Sequence, residues 1–218
     1  PCLARRGSGL ANIRGSIAVV ALYDPQEQQW RGIGTAFHLG RGVFYTSAHV
    51  ILGGERLQRQ DPALKQWLLV MADDYGSPRV PLATATVRCV DKRYQPDPYG
   101  DVRPFDAAAV QVAEPRAVLP PPLTVSRRAP MVGERVIVLG YPRASVLFEM
   151  RGKVVEVAAD RFMMDREPGT AALPGSSGSP VFNSDSEIIG ILQAGNVGRM
   201  ITQAVTISAA LTGCPMDQ

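Results

Sequence analysis

The 218-residue chain reads as an all-β fold of the sandwich or barrel kind. Three observations predict this class. Short apolar or alternating runs recur along the chain, separated by Gly, Pro and Asp. Helical periodicity is weak by comparison. A proline run, Leu119-Pro120-Pro121-Pro122-Leu123, divides the chain into halves of similar size. Consecutive prolines lack the N–H groups that a central strand needs and suit an extended connection. The length suits one large β domain or two small barrels sharing a cleft.

Taken in order, the predicted strands are Ile17 to Tyr23, Gly34 to Leu39, Val43 to Ser47, Trp67 to Met71, Ala83 to Val90 and Ala107 to Val112. After the proline run come Arg135 to Leu139, Gly152 to Val157, Arg161 to Met164, Ser179 to Phe182 and Glu187 to Gln193. Each is rich in β-branched, aromatic or small apolar residues and bounded by turn formers. Short helices are expected at Val50 to Leu57 and at Ile207 to Leu211. The polar stretches Arg59 to Lys65 and Tyr94 to Pro104 read as loops. No sequence repeat and no low-complexity tract is visible.

Composition excludes several classes. Formal charge is +3 and the pI about 9.0, but the basic residues are scattered and mostly arginine, the only lysines being Lys65, Lys92 and Lys153. A nucleic-acid-binding face would show a clustered footprint, so no nucleic-acid partner is expected. No apolar run is long enough to span a bilayer, and no secretory signal is visible. The chain opens on Pro1 rather than Met, which implies an upstream piece and leaves the compartment, cytoplasmic or periplasmic and secreted, undecided. Three cysteines, Cys2, Cys89 and Cys214, with no close spacing argue against a disulfide framework and against a zinc site. Pairing of Cys2 with Cys214, near opposite termini, stays open. No metal or other cofactor is expected.

The chemistry is concentrated in three motifs. Gly175-Ser176-Ser177-Gly178-Ser179-Pro180 forms a tight turn that lifts a hydroxyl into a cleft and lets backbone N–H groups face a developing oxyanion. Ser177 alone has Gly two before and one after it. A serine hydroxyl needs a base at hydrogen-bond range, and the chain has only two histidines. His49 closes the run Thr46-Ser47-Ala48 at a strand end. His38 lies inside a strand and reads as a surface or edge-strand residue. Asp106 immediately precedes an apolar strand, where its carboxylate can be buried and held. Asp91, Asp97 and Asp101 lie in polar, proline-containing sequence and read as solvated. The chain order His, Asp, Ser is that of chymotrypsin-like enzymes. An α/β-hydrolase would need a histidine after the serine, and none follows.

From Ser16 to about Leu211 the chain resembles the trypsin-like, chymotrypsin-fold serine peptidases, in particular the bacterial HtrA-like and V8-like branch. The matching pieces include Gly34-Thr35-Ala36-Phe37, Tyr45-Thr46-Ser47-Ala48-His49-Val50, Phe105-Asp106-Ala107-Ala108, Val138-Leu139-Gly140-Tyr141-Pro142, Gly178-Ser179-Pro180-Val181-Phe182-Asn183 and Ile188-Ile189-Gly190-Ile191. The resemblance implies two six-stranded antiparallel β-barrels with the active site between them and a short C-terminal helix. It implies an N-terminal arm at 1–15, a first barrel at 16–118, a linker at 119–128 and a second barrel at 129–218. It implies His49 as base, Asp106 as its orienter, Ser177 as nucleophile, and the N–H groups of Gly175 and Ser177 as oxyanion hole.

The resemblance further implies a substrate pocket walled by Ala171, Ala172 and Leu192, with Gln193, Ala194 and Gly195 pairing with the backbone of a protein or peptide substrate. With no charge at these positions, the expected preference before the scissile bond is for small or medium aliphatic residues. Ser176 stands where digestive relatives carry the aspartate that receives a new N-terminal amine, so the loop must be held another way. The competing readings are a peptidase effector domain controlled by a regulatory domain or partner outside the chain, and a peptide-binding pseudoprotease, against which the intact triad counts.

Overall fold

A computed structural model describes residues 13–72, 78–95, 104–112, 119–170, 172–195 and 200–216, with main chain alone at 71–72, 78–82 and 194–195. The first half forms β1 (Ile17–Asp24), β2 (Gln29–Gly40), β3 (Val43–Thr46), helix α1 (Ala48–Gln60), β4 (Gln66–Ala72), β5 (Pro78–Val90) and β6 (Ala108–Val112). The second forms β7 (Arg135–Gly140), β8 (Phe148–Val157), β9 (Arg161–Arg166), β10 (Pro180–Phe182), β11 (Ile188–Gly195), β12 (Ile201–Thr206) and helix α2 (Ile207–Gly213).

These strands close into two six-stranded antiparallel barrels, ordered β1-β2-β3-β6-β5-β4 and β7-β8-β9-β12-β11-β10 around the ring. The second order repeats the first, although no repeat is visible in the sequence. Closure matters energetically, because it pairs the edge strands β1 with β4 and β7 with β10.

The apolar residues divide among three cores. Phe44, Ile51, Leu69 and Val110 fill the first barrel, and Val138, Phe162, Met164 and Leu192 fill the second. A third cluster joins Ile17, Phe37 and Tyr45 of the first barrel to Leu139, Tyr141, Phe182 and Val205 of the second. It needs the opposite face of the same strands. That is why β1 reads as an almost unbroken apolar run, buried from Ile17 to Leu22.

Several expectations need correction. Strand β12 was not anticipated. Its Thr202, Gln203 and Thr206 are polar yet all buried, so the alternation that marks a strand is missing from the letters. Helix α1 runs on to Gln60, into the stretch expected to be loop. Cys214 bonds Cys89, at a Cα separation of 5.7 Å, because α2 carries the C-terminal segment back onto the first barrel. Cys2 lies outside the described residues. The main chain of Thr124–Ser126 pairs with Ile188, giving the proline-rich connection a short parallel bridge on β11.

His38 is buried, not exposed: it is 3% accessible, stacks on Phe44 with ring centroids 4.9 Å apart, and bonds the proline run. The Pro120 carbonyl can only accept, so Nδ1–H donates to it at 2.8 Å, and Nε2 accepts the Gly42 N–H at 3.2 Å. Burial is the larger influence on this imidazole and lowers its pKa, against the raising effect of the Pro120 and Pro121 carbonyls. Asp91 is likewise buried rather than solvated. Arg93 grips its carboxylate with Nε at 3.0 Å and Nη2 at 2.7 Å. Asp97 and Asp101 lie outside the described residues.

Candidate active site

His49 and Asp106 are 57 residues apart in sequence and meet because β3 and β6 are antiparallel neighbours. Thr46 pairs with Ala108, so the end of β3 and the approach to β6 lie side by side. His49 occupies the first turn of α1. Asp106 receives two bonds there: the His49 backbone N–H donates to Oδ1 at 2.8 Å, and Nδ1 lies 2.6 Å from Oδ2. The Asp106 side chain is wholly buried, whereas that of His49 is 20% exposed. One face of the imidazole is therefore anchored in the protein while the ring still reaches solvent.

The approach to Asp106 is conformationally costly. Phe105 adopts φ +57°, a left-handed conformation unusual for a bulky residue. The Arg93 guanidinium lies over its ring, 4.2 Å from the centroid, and donates to the Ala209 carbonyl of α2 at 3.0 Å. Asp91, Arg93 and α2 thus brace the segment that presents Asp106.

Ser177 lies on the turn before β10, and two glycines make that turn possible. Gly178 has φ +88°, and a Cβ there would come within 2.1 Å of the Thr35 carbonyl oxygen. Gly175 has φ +96°, and a Cβ there would lie 2.6 Å from the Arg143 nitrogen. The turn is fastened at each step. Arg143 N–H donates to the Pro174 carbonyl at 2.6 Å, Thr35 Oγ1 to the Gly175 carbonyl at 2.8 Å, and Ser179 Oγ to the Ser176 carbonyl at 2.6 Å. Thr35 N–H donates to the Ser177 carbonyl at 2.8 Å. Among the described residues, the N–H groups of Gly175 and Ser177 meet no protein acceptor, while those of Ser176, Gly178 and Ser179 all do.

The Ser177 hydroxyl donates to the Gln193 carbonyl at 3.1 Å; among the described residues it makes no hydrogen bond to His49. Ser47 Oγ, at the mouth of α1, donates to the neighbouring Leu192 carbonyl at 2.9 Å, tying the histidine-bearing segment to β11. The Gln193 side chain is buried and accepts from Gln203 Nε2 at 2.6 Å. Of the anticipated pocket residues, Ala172 and Leu192 line one small, mostly apolar cavity with Val138, Phe148, Met150 and Ser176. Ala171 lies outside the described residues. The main chain of Ala194 and Gly195 pairs with Gln203 and Thr202 of β12.

Two residues escaped the reading of the sequence. Thr35 contacts both ends of the Gly175–Ser177 segment, and Arg93 braces the approach to Asp106. Thr35 stands in a piece that matches the family, but only the turn folded against it shows what its hydroxyl does. Among the described residues, no group of His, Cys, Asp and Glu side chains could hold a metal ion, and no helix is long and apolar enough to cross a membrane.

The fold is shared with solved proteases. The inactive form of Rv3671c protease is 18% identical, with a TM-score of 0.64 over 94% of this chain and 90% of that one. The active form of the same protease, from M. tuberculosis, is 20% identical, with a TM-score of 0.65 over 96% and 85%. A serine endoprotease from Yersinia pestis is 17% identical, with a TM-score of 0.67 over 94% of this chain and 63% of that one. The family model for the trypsin-like peptidase domain matches residues 34–191, a span that holds all three motifs. Two antiparallel barrels of chymotrypsin-like order and that match together show that the chain belongs to the trypsin-like peptidase domain family and is a serine endopeptidase.

Proposed function

We propose that this peptidase cleaves its substrates through Ser177, His49 and Asp106 by way of an acyl-enzyme. The observation that carries the reading is the His49–Asp106 pair, with Nδ1 at 2.6 Å from a fully buried carboxylate. A carboxylate accepts, so Nδ1 carries the proton and Nε2 is left as the base. On this reading residues 16–118 supply base and orienter, 129–218 supply the nucleophile, and 119–128 connect them.

An extended substrate pairs with the Gln193–Gly195 edge, and the N–H of the residue before the scissile bond takes the Gln193 carbonyl. The Ser177 hydroxyl, which occupies that acceptor in the resting site, then turns to His49 Nε2. This exchanges one hydrogen bond for another. Oγ attacks the scissile carbonyl as its proton passes to Nε2. The carbonyl oxygen becomes an oxyanion between the Gly175 and Ser177 N–H groups, which meet no protein acceptor among the described residues. Asp106 stabilises the imidazolium. Collapse of the tetrahedral adduct breaks the C–N bond, and the amine leaves with the proton from Nε2. Water repeats the sequence on the ester and restores Ser177.

Ala172 and Leu192 bring no charge to the cavity they share. A charged side chain seated there would be desolvated without a partner. Small or medium aliphatic residues before the scissile bond fit best.

The test is labelling with a fluorophosphonate followed by peptide mapping. The expected adduct is on Ser177, absent in Ser177→Ala and in protein denatured before labelling. Labelling at another serine, or an active Ser177→Ala, would overturn the assignment.

A further inference from the structure

We infer that the Thr35 hydroxyl is a positioning group for the oxyanion hole. This rests on the proposed roles of Gly175 and Ser177. Thr35 belongs to β2 of the first barrel, where its carbonyl accepts the Thr46 hydroxyl at 2.7 Å, but its N–H and its hydroxyl are committed to the second barrel. Its N–H donates to the Ser177 carbonyl at 2.8 Å, and its Oγ1 donates to the Gly175 carbonyl at 2.8 Å. Oγ1 also accepts the Tyr141 N–H at 3.0 Å, and Thr35 is wholly buried.

A hydroxyl has one proton. The Tyr141 N–H can only donate to Oγ1, so the proton must point to the Gly175 carbonyl. The hydroxyl orientation is thus determined by its surroundings. The consequence falls on the two N–H groups that face the reacting carbonyl. Both bracket the segment Gly175-Ser176-Ser177, and Thr35 holds the carbonyl oxygen at each end of it. Gly175 is the one residue of the segment with left-handed φ, +96°, and glycine has little intrinsic preference to keep it there. Fixing its carbonyl restricts rotation about the Gly175 main chain and so the direction of its N–H. The Tyr141 bond connects the same oxygen to the turn whose Arg143 N–H holds the Pro174 carbonyl at 2.6 Å. Both peptide groups flanking Gly175 are therefore held, one directly and one through its neighbour.

A group that acts on N–H direction changes transition-state binding more than substrate binding. Removing an oxyanion donor outright costs roughly 100–1000-fold in kcat; loosening one should cost less, about 10–100-fold. Two pairs of variants separate the hydroxyl from the bulk: wild type against Thr35→Val, and Thr35→Ser against Thr35→Ala. In the full chain, kcat and KM for a peptide amide are measured, with the Ki of a peptidyl boronate, whose adduct with Ser177 presents a hydroxyl to the hole.

The expected result is loss of kcat and boronate affinity together in the Val and Ala variants, with KM within about 2-fold, and retention of both in Thr35→Ser. If Thr35→Val does not fold, the Ser and Ala pair decides. Equal activity of the Ser and Ala variants, or a loss confined to KM, would overturn the inference. Failure of the underlying triad is distinguishable, because wild type would then label elsewhere than Ser177.

Discussion

The Ser177 hydroxyl donates to the main-chain carbonyl of Gln193, at 3.1 Å. The relationship links the proposed nucleophile to the proposed substrate edge. Gln193 lies on β11, along which an extended peptide would pair, and its carbonyl is the acceptor that the peptide N–H would take. On the proposed mechanism, occupancy of the edge and release of the Ser177 hydroxyl become one event. Replacing the Ser177 hydroxyl removes this single bond and little packing. Ser177→Ala should therefore abolish hydrolysis while shifting the thermal midpoint by only a few degrees, the scale of about 1 kcal/mol. A loss of only a few-fold in kcat/KM would sink the nucleophile assignment.

Asp106→Asn should inactivate through tautomer choice rather than unfolding. Oδ1 accepts the His49 backbone N–H at 2.8 Å, so the asparagine oxygen must stay there. Its NH2 then faces Nδ1, which has to accept, and the proton moves to Nε2. The imidazole is held but can no longer take the Ser177 proton. A fall of about 10⁴-fold in kcat is expected, with near-native circular dichroism. Near-normal turnover would mean that Asp106 does not orient the base.

The two histidines should separate activity from stability. His49→Ala should be inactive with little loss of stability, because the imidazole it removes is 20% exposed and its truncation opens the Asp106 carboxylate to water. His38→Ala should keep its turnover but lose roughly 1–3 kcal/mol, since it leaves the Pro120 carbonyl and the Gly42 N–H without their buried partner. Hydrolysis and urea denaturation on both variants check this, and an inactive, fully stable His38→Ala would reverse the assignment.

His38 also gives stability a pH dependence of known sign. Burial lowers its pKa from the ordinary 6.5, so in the window below 6.5 the unfolded chain binds the proton more readily than the folded one. The stability this neutral imidazole supplies is full above that value and is lost as pH falls through the window. Urea midpoints between pH 8 and pH 5 should fall more steeply in wild type than in His38→Gln. Parallel profiles would show that His38 titrates alike in both states.

The Cys89–Cys214 bond spans 125 residues and joins the segment after α2 to the first barrel. On the chain-entropy model a loop of this size contributes about 5 kcal/mol. Cys214→Ser should lower the thermal midpoint substantially, and a reducing agent should lower that of wild type but not of the variant. Because α2 also receives Arg93, which braces Phe105 before Asp106, kcat should fall before the fold is lost. Indifference of both midpoint and kcat to reduction would rule out this bracing role.

Substrate profiling tests the pocket. A peptide library should show graded preference for Ala, Val or Leu before the scissile bond, since apolar shape discriminates by only about 1–3 kcal/mol. Leu192→Ala should widen acceptance toward Phe, at a stability cost of about 2–5 kcal/mol because Leu192 belongs to the second core. Dominance of Arg, Lys or Glu would refute the pocket while leaving the triad standing.

The sequence by itself determined the class of fold, eleven of the twelve strands among the described residues, and the residues proposed for chemistry. These are legible because they depend on local pattern: the turn around Ser177 needs its glycines next to it, and Asp106 precedes an apolar run whatever lies across the sheet. Tertiary structure decided what depends on contacts between distant segments. It chose Cys89 as the partner of Cys214, because β5 passes beneath the end of α2. It buried His38 and Asp91, whose neighbours Pro120, Gly42 and Arg93 satisfy them in the fold but leave no mark on the composition. It made a strand of Ile201–Thr206, where Ala204 joins the second core, Val205 joins the cluster between the barrels, and Thr202, Gln203 and Thr206 are buried with them. It assigned Thr35 its task, since the carbonyl that its hydroxyl meets lies 140 residues away. A hydrogen bond across that separation is set by how two closed barrels pack, and no periodicity in either segment records it.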